Sequence, residues 1–135
     1  MKVPFNDLSR IHNPIKKNVL SKLNKTIDKN EFILGDSVKN FETSFSRYTD
    51  SKYSISCSNG TDAIELVLRA LGIGNQDEVI IPSNTFIATA LAVTRTGATP
   101  ILVDNNSFYL IDTDVIEKNI TKKTKAIIAV HLYGQ

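Results

Sequence analysis

Residues 78–86 read Glu-Val-Ile-Ile-Pro-Ser-Asn-Thr-Phe, and this stretch decides the fold. Residues 78–82 are predicted to form a strand, and the continuous apolar run at 79–82 is typical of a strand that is buried on both faces. The Ser-Asn-Thr triplet at 83–85 is expected to cap a helix that begins at Phe86 and extends to about Thr96, with Gly97 ending it. A buried strand followed directly by a helix predicts a βα unit.

The same unit recurs on both sides of this stretch. Short apolar strands are predicted at residues 53–57, 100–104 and 125–131. Helices are expected to begin at Thr61 after an Asn-Gly turn with positive φ, and at Asp114, which forms a capping box with Glu117. Strands that alternate with helices predict the α/β class, with a mostly parallel sheet covered by helices.

Two helices are predicted before the first strand. Asn13 and Pro14 are expected to be the N-cap and first residue of a helix whose apolar residues recur every fourth position. That stripe consists of Ile15, Val19, Leu23 and Ile27. The second helix is expected to begin at Asp36 or Ser37 and to turn four residues toward a core: Val38, Phe41, Phe45 and Tyr48.

Composition limits the classes of protein that the chain can represent. The 135 residues fit one domain, and a net charge of +2 with scattered lysines does not favour nucleic-acid binding. The single cysteine, Cys57, favours a reducing cytoplasmic setting, and no apolar run approaches the roughly 20 residues of a membrane helix. No cluster of His, Cys and Asp has metal-site spacing, so no metal is expected.

Two turns at the carboxyl ends of predicted strands suggest a ligand site. Ser56–Asp62 places small residues before a helix, where free N–H groups and the helix dipole favour phosphate. An ordinary capped turn explains the same residues, and local pattern alone favours that reading. Phe86 begins a helix at the same edge, where its ring can stack on a flat cofactor or simply pack in the core. Together the two turns suit a phosphorylated aromatic cofactor such as pyridoxal phosphate.

The chain resembles the DegT/StrS family of pyridoxal-phosphate-dependent sugar aminotransferases along its whole length. The matching stretches are residues 4–8, 32–35, 41–42, 58–64 (Ser-Asn-Gly-Thr-Asp-Ala-Ile), 74–82, 85–89, 97–100, 120–121, 124–128 and 130–135 (Val-His-Leu-Tyr-Gly-Gln). This resemblance implies the large domain of an aspartate-aminotransferase-like fold. Residues from about 1–50 correspond to its N-terminal helices and those from about 51–135 to the start of the cofactor-binding part, in one incomplete domain.

The resemblance also implies specific roles. Gly60 and Thr61 correspond to the pair that holds the cofactor phosphate, and Phe86 to the aromatic residue that stacks on the pyridine ring. Gly35 lies in the stretch that borders the sugar-nucleotide site. The implied partners are a nucleotide-linked keto-sugar, an amino-acid donor expected to be glutamate, and a second copy of the chain. The implied products feed the biosynthesis of cell-surface polysaccharides, including lipopolysaccharide, or of glycosylated metabolites.

The family's carboxylate for the pyridine nitrogen and its cofactor-binding lysine are expected to lie beyond residue 135. No catalytic residue is therefore assigned in this chain, and little transaminase activity is expected from it alone. His131 is interpreted as structural and Cys57 as a packing residue. Two alternatives stay open: an inactive truncated or split fragment, and a sugar dehydratase of the same family with histidine in place of that lysine. A dinucleotide-binding domain is disfavoured because no G-x-G-x-x-G follows residues 53–57.

Overall fold

Residues 3–134 are described by a computed structural model, in which helices and three strands form two compact units, Met1–Ser56 and Cys57–Gln135. Gln135, the last residue of the stretch that resembles the family, lies outside the described residues. The expectation of one incomplete domain stays a prediction.

The first unit holds two helices, α1 (Ser9–Lys29) and α2 (Asp36–Tyr48). The prediction that α1 begins at Asn13 and Pro14 is wrong, since Pro14 lies inside the helix. The Asp7 carboxylate accepts hydrogen bonds from the N–H, at 3.1 Å, and the hydroxyl of Ser9. This contact satisfies an N–H group of the first turn and lets the helix begin earlier, while Pro14 forgoes one bond to the preceding turn. The predicted start of α2 is confirmed.

The apolar residues of this unit have the predicted spacing but remain uncovered. Ile15 and Val19 of the α1 stripe are 47% and 53% exposed, and α2 contains no buried residue. The prediction that α2 turns its apolar side chains into a core is wrong: Tyr48 is largely exposed, and Phe41 stacks on Phe45 with ring centroids 5.5 Å apart. Periodicity identifies the apolar face of a helix, but it does not supply the element that covers this face.

The second unit is a parallel α/β sheet with helices. Its elements are α3 (Gly60–Ala70), β1 (Glu78–Pro82), α4 (Ile87–Arg95), β2 (Thr99–Val103), α5 (Thr113–Asn119) and β3 (Thr124–Ile127). The strand order is β2-β1-β3, and both pairings of the central strand are parallel. The predicted α/β class with a parallel, helix-covered sheet is confirmed, and β1 has the predicted bounds.

The core of this unit is built on β1. Its residues Val79, Ile80 and Ile81 are completely buried, and Ile80 pairs with Ile101 of β2 and Ile127 of β3. Val79 and Ile81 lie on one face of the strand and belong to an apolar cluster that α3 and α4 complete; the other members are Leu68, Ile73, Val93 and Ala98. Alternation along the strand therefore assigns Ile80 to the opposite face.

Several element boundaries differ from the prediction. Residues 53–57 form no strand, and Ile55 is 86% exposed, because no strand of the described chain lies beside this segment. The predicted strand at 125–131 ends at Ile127, and β2 begins at Thr99. A strand exists only where a neighbour accepts its hydrogen bonds, so an apolar run overstates its length.

Two predicted caps are also wrong in detail. Asp112, not Asp114, is the N-cap of α5, and its carboxylate accepts the N–H of Asp114 at 3.0 Å. Asn59 has a φ of −163°, and Gly60 is the first residue of α3, so the expected turn with positive φ does not form there. The closing role of Gly97 is confirmed by its φ of +88°.

Truncation of a buried side chain in β1 should destabilise the second unit strongly. We expect Ile81→Ala to lower the free energy of unfolding by about 2–5 kcal/mol, because Ile81 is fully buried and a cavity would remain. The control Leu102→Ala, at a position that is 62% exposed, should cost less than about 1 kcal/mol. Urea denaturation followed by circular dichroism measures both, and equal losses would contradict the assigned core.

Candidate functional site

The first turn of α3 is organised by Asn59, its N-cap. The Asn59 Oδ1 atom accepts the N–H of Asp62 at 2.9 Å, and the Asn59 Nδ2 atom donates to the Asp62 carboxylate at 3.0 Å. The Ser58 hydroxyl donates to the same carboxylate. Three polar side chains thus hold one another at the start of the helix, and the Asn59 cap satisfies the third N–H of α3.

Two donors of this turn stay available. The N–H groups of Gly60 and Thr61 have no acceptor within residues 3–134, and a Cβ on Gly60 would meet no atom within 4 Å. The Asp62 carboxylate is paired with the Arg95 guanidinium at 3.4 Å, which offsets its negative charge. Free N–H groups at the positive end of a helix dipole, with open space beside them, fit a phosphate group.

Phe86 lies between β1 and α4 with its ring accessible. It is the N-cap residue of α4 with extended backbone angles, it makes no side-chain cap, and it is 71% exposed. Packing in the core, the alternative interpretation for this residue, therefore does not describe it within this chain. The prediction that Ser83-Asn84-Thr85 caps this helix is wrong, since α4 begins at Ile87 and the Thr85 hydroxyl is bonded to that of Thr89 at 2.9 Å.

The two helix starts lie at the same end of the second unit. Helices α3 and α4 pack against each other, and the Arg69 guanidinium donates to the carbonyl of Arg95 at 2.6 Å, joining their C-terminal ends. The helices therefore run in the same direction, and Gly60, Thr61 and Phe86 lie toward the edge where β1 ends. This is the edge at which open α/β sheets bind ligands. The roles of these three residues stay predictions.

Polar residues after β2 belong to this edge, although the sequence did not single them out. The N–H of Ser83 donates to the carbonyl of Val103 at 2.8 Å, and the N–H of Asn84 donates to Asn105 Oδ1 at 3.1 Å. The Ser83 hydroxyl donates to Asp104 at 3.3 Å. The sequence feature that could have indicated them is the run Asp-Asn-Asn at residues 104–106, directly after an apolar strand. The run lies at the same sheet edge as the other two turns.

The remaining candidates lie outside this arrangement. Cys57 is an exposed thiol, so its predicted packing role is not seen within the described chain, and His131 is exposed beyond the end of β3. Gly35 is the N-cap of α2, in the first unit. Residues 3–134 contain no group of three His, Cys, Asp or Glu side chains arranged for a metal ion. No helix among these residues is both long and apolar enough to cross a bilayer.

Glu42 on α2 holds the backbone at the end of the segment that follows this helix. Its carboxylate accepts the N–H of Ser56 at 2.7 Å. This backbone hydrogen bond, together with a smaller contribution from the Ser56 hydroxyl, lowers the pKa of Glu42 because both stabilise the ionised form.

Comparisons with known proteins identify the relatives of this chain. The sequence model of the DegT/DnrJ/EryC1/StrS aminotransferase family matches residues 13–135. The chain is 46% identical over 134 residues to a protein of Aneurinibacillus thermoaerophilus named dTDP-3-amino-3,6-dideoxy-alpha-D-galactopyranose transaminase. That alignment covers 98% of this chain and 37% of the relative.

Two solved structures are similar to the chain. DesV from S. venezuelae, in complex with a ketimine intermediate, is 38% identical with a TM-score of 0.94 over 99% of this chain and 36% of its own. NtdA from Bacillus subtilis with bound cofactor PMP is 43% identical with a TM-score of 0.92, over 99% of this chain and 31% of its own. The chain spans about a third of the length of the relatives it matches.

The Glu42–Ser56 bond should be visible in an acid titration. A pKa that is lowered in the folded state means that the bond contributes fully above the unfolded pKa and is lost as pH falls through the folded pKa. We expect the Ser56 amide resonance in NMR to shift at a midpoint below the ordinary glutamate range, and not to shift in Glu42→Gln. Ser56→Ala should keep most of the effect, because the backbone N–H is the larger cause. Loss of the shift in Ser56→Ala would contradict the assignment.

Proposed function

Because this chain belongs to the DegT/DnrJ/EryC1/StrS aminotransferase family, we propose that it is the N-terminal part of a pyridoxal-phosphate-dependent sugar aminotransferase. The complete enzyme transfers an amino group from an amino acid, with glutamate as donor, to the keto group of a nucleotide-linked sugar. The match along the whole chain and the free donors of Gly60 and Thr61 support this function. It belongs to deoxyamino-sugar biosynthesis for polysaccharides, including lipopolysaccharide, in the cytoplasm, and the enzyme is a homodimer.

Gly60 and Thr61 hold the cofactor phosphate in this proposal. Pyridoxal phosphate, when bound, supplies the electron-withdrawing ring through which amino groups are exchanged. The two free N–H groups donate to phosphate oxygens, the Thr61 hydroxyl adds a donor, and the helix dipole of α3 favours the negative charge. Gly60 has no side chain to obstruct the approach, and Arg95 holds the Asp62 carboxylate.

Phe86 orients the cofactor ring. Its own ring is accessible at the start of α4, at the sheet edge toward which α3 also begins. An aromatic face stacked on the pyridine ring fixes the plane of that ring and excludes water from one side. The phosphate contacts and the stacked ring together determine both the position and the tilt of the cofactor.

The chain is proposed to bind the cofactor without turning over substrate. Its three site residues supply hydrogen bonds and stacking, whereas amino transfer also needs a base at the reacting carbon and a carboxylate at the ring nitrogen. Both units, on this proposal, are parts of one incomplete domain. A sugar dehydratase of the same family, or an inactive remnant, is the alternative to a transaminase, because no group assigned here distinguishes among them.

Removal of one backbone donor tests the phosphate contact. Gly60→Pro deletes an N–H at the first helical position, where proline is tolerated, and the extended backbone of Asn59 suits a following proline. We expect the affinity for pyridoxamine phosphate, measured by equilibrium dialysis, to fall about tenfold or more, the loss of one charge-assisted hydrogen bond.

The matched control is Thr113→Pro, because Thr113 is the first residue of α5 and follows an extended Asp112. It places the same substitution at a helix start that has no assigned ligand, so the affinity should not change. Equal effects of Gly60→Pro and Thr113→Pro would contradict a phosphate contact at α3. Absence of binding by the unsubstituted chain would contradict the proposed cofactor site itself.

The coding DNA downstream of codon 135 tests the proposed reaction. We expect it to encode an acidic residue for the ring nitrogen and, after it, a lysine that binds the cofactor. Histidine at the position of that lysine would establish the dehydratase alternative. Unrelated sequence would contradict the aminotransferase and leave a binding remnant.

A further inference from the structure

The placement of Phe86 depends on residues outside its own segment. Phe86 caps α4 without a side-chain hydrogen bond, and its ring is mostly exposed, so few contacts hold it directly. Two backbone N–H groups of the turn before Phe86 donate hydrogen bonds to residues at the end of β2. The N–H of Ser83 bonds the carbonyl of Val103, and the N–H of Asn84 bonds the side chain of Asn105.

These two ties differ in kind. The Ser83–Val103 bond joins main chain to main chain at 2.8 Å and continues the pairing of β1 with β2. The Asn84–Asn105 bond, at 3.1 Å, requires a side-chain acceptor, and Asn84 is the residue closer to Phe86. A further side-chain contact, from the Ser83 hydroxyl to Asp104, is longer at 3.3 Å.

Asn105 is itself held at both ends of its amide. Its Oδ1 atom accepts from Asn84, while its Nδ2 atom donates to the carbonyl of Tyr109 at 3.0 Å. Its own N–H is bonded to the Asp104 carboxylate at 2.8 Å, and its backbone forms a bridge with Ile111. An amide whose oxygen and nitrogen are both engaged has one defined orientation, so it is a rigid acceptor for the Asn84 N–H.

We propose that Asn105 is a positioning residue that sets the ring of Phe86 against the pyridine ring of the cofactor. The inference rests on the proposed function, because Phe86 needs a defined position only if it stacks on a ligand. Loss of the acceptor would free the Asn84 N–H and loosen the backbone two residues before Phe86. The donors at Gly60 and Thr61 lie on α3, and they form no hydrogen bond with Asn105. Asn105 therefore affects the ring of the cofactor and not its phosphate.

Two ligands distinguish a contact with the pyridine ring from a contact with the phosphate. Pyridoxamine phosphate contains both groups, whereas inorganic phosphate contains only the phosphate. Their dissociation constants for the 135-residue chain are measured by equilibrium dialysis, and stacking is followed by circular dichroism induced in the absorption band of the pyridine ring. We expect Asn105→Leu to weaken pyridoxamine phosphate about fivefold and to reduce the induced signal, with phosphate affinity unchanged.

Asn105→Asp and Asn106→Leu are the matched variants. Aspartate keeps the acceptor for Asn84, so it should keep the ratio of the two affinities close to that of the unsubstituted chain even if its charge weakens both. Asn106 accepts only within its own turn, from Phe108 at 2.9 Å and Leu110 at 3.3 Å. Removing its amide should leave the ratio and the induced signal unchanged.

A double-mutant cycle with Phe86→Ala separates positioning from a general structural effect. If Asn105 acts through the Phe86 ring, Asn105→Leu should change pyridoxamine phosphate affinity little once that ring is absent. A full effect of Asn105→Leu in the Phe86→Ala background would overturn the proposal, as would an unchanged ratio in Asn105→Leu alone. An unsubstituted chain that binds phosphate but shows no extra affinity for pyridoxamine phosphate would instead overturn the stacking role of Phe86, and the inference with it.

Discussion

Burial of residues 79–82 of β1 is the constraint on which the rest of the second unit depends. Val79 and Ile81 pack under α3 and α4, while the strand is paired on both sides, so neither helix can shift along the sheet without uncovering apolar area. Because both helices pack on one face in the same direction, Gly60 and Phe86 lie toward the same sheet edge. The core thus determines where the free donors and the accessible ring are found.

Features set by a few neighbouring residues were predictable from sequence. The strand at β1 and the end of α4 before Gly97 both follow from local chemistry, and both predictions are confirmed. The predictions fail where a contact with another part of the chain determines the structure. Residues 53–57 have the composition of a strand but no neighbouring strand in the described chain, and α1 begins earlier because Asp7 supplies a contact that the Asn13-Pro14 pattern does not indicate.

The candidate site shows the same difference between features set by neighbouring residues and features set by distant ones. A helix start in this turn was readable from the small residues before an apolar stripe, although it was predicted at Thr61 and lies at Gly60. The resemblance to a family implied a role for both residues. Asn105 was missed because its contact with Asn84 spans 21 residues, and Arg95 was missed because it reaches Asp62 across 33. Sequence pattern indicates which groups are candidates for binding a ligand, but it does not show the hydrogen bonds between distant segments that position those groups.

The two carboxylates at this edge of the sheet are engaged by neighbouring polar groups. The Asp62 carboxylate is engaged by Ser58, Asn59 and Arg95, and the Asp104 carboxylate by Ser83 and Asn105. These acids therefore brace the turns that present Gly60, Thr61 and Phe86. On the proposed function, the turns held in this way bind a phosphorylated ring at this edge of the sheet.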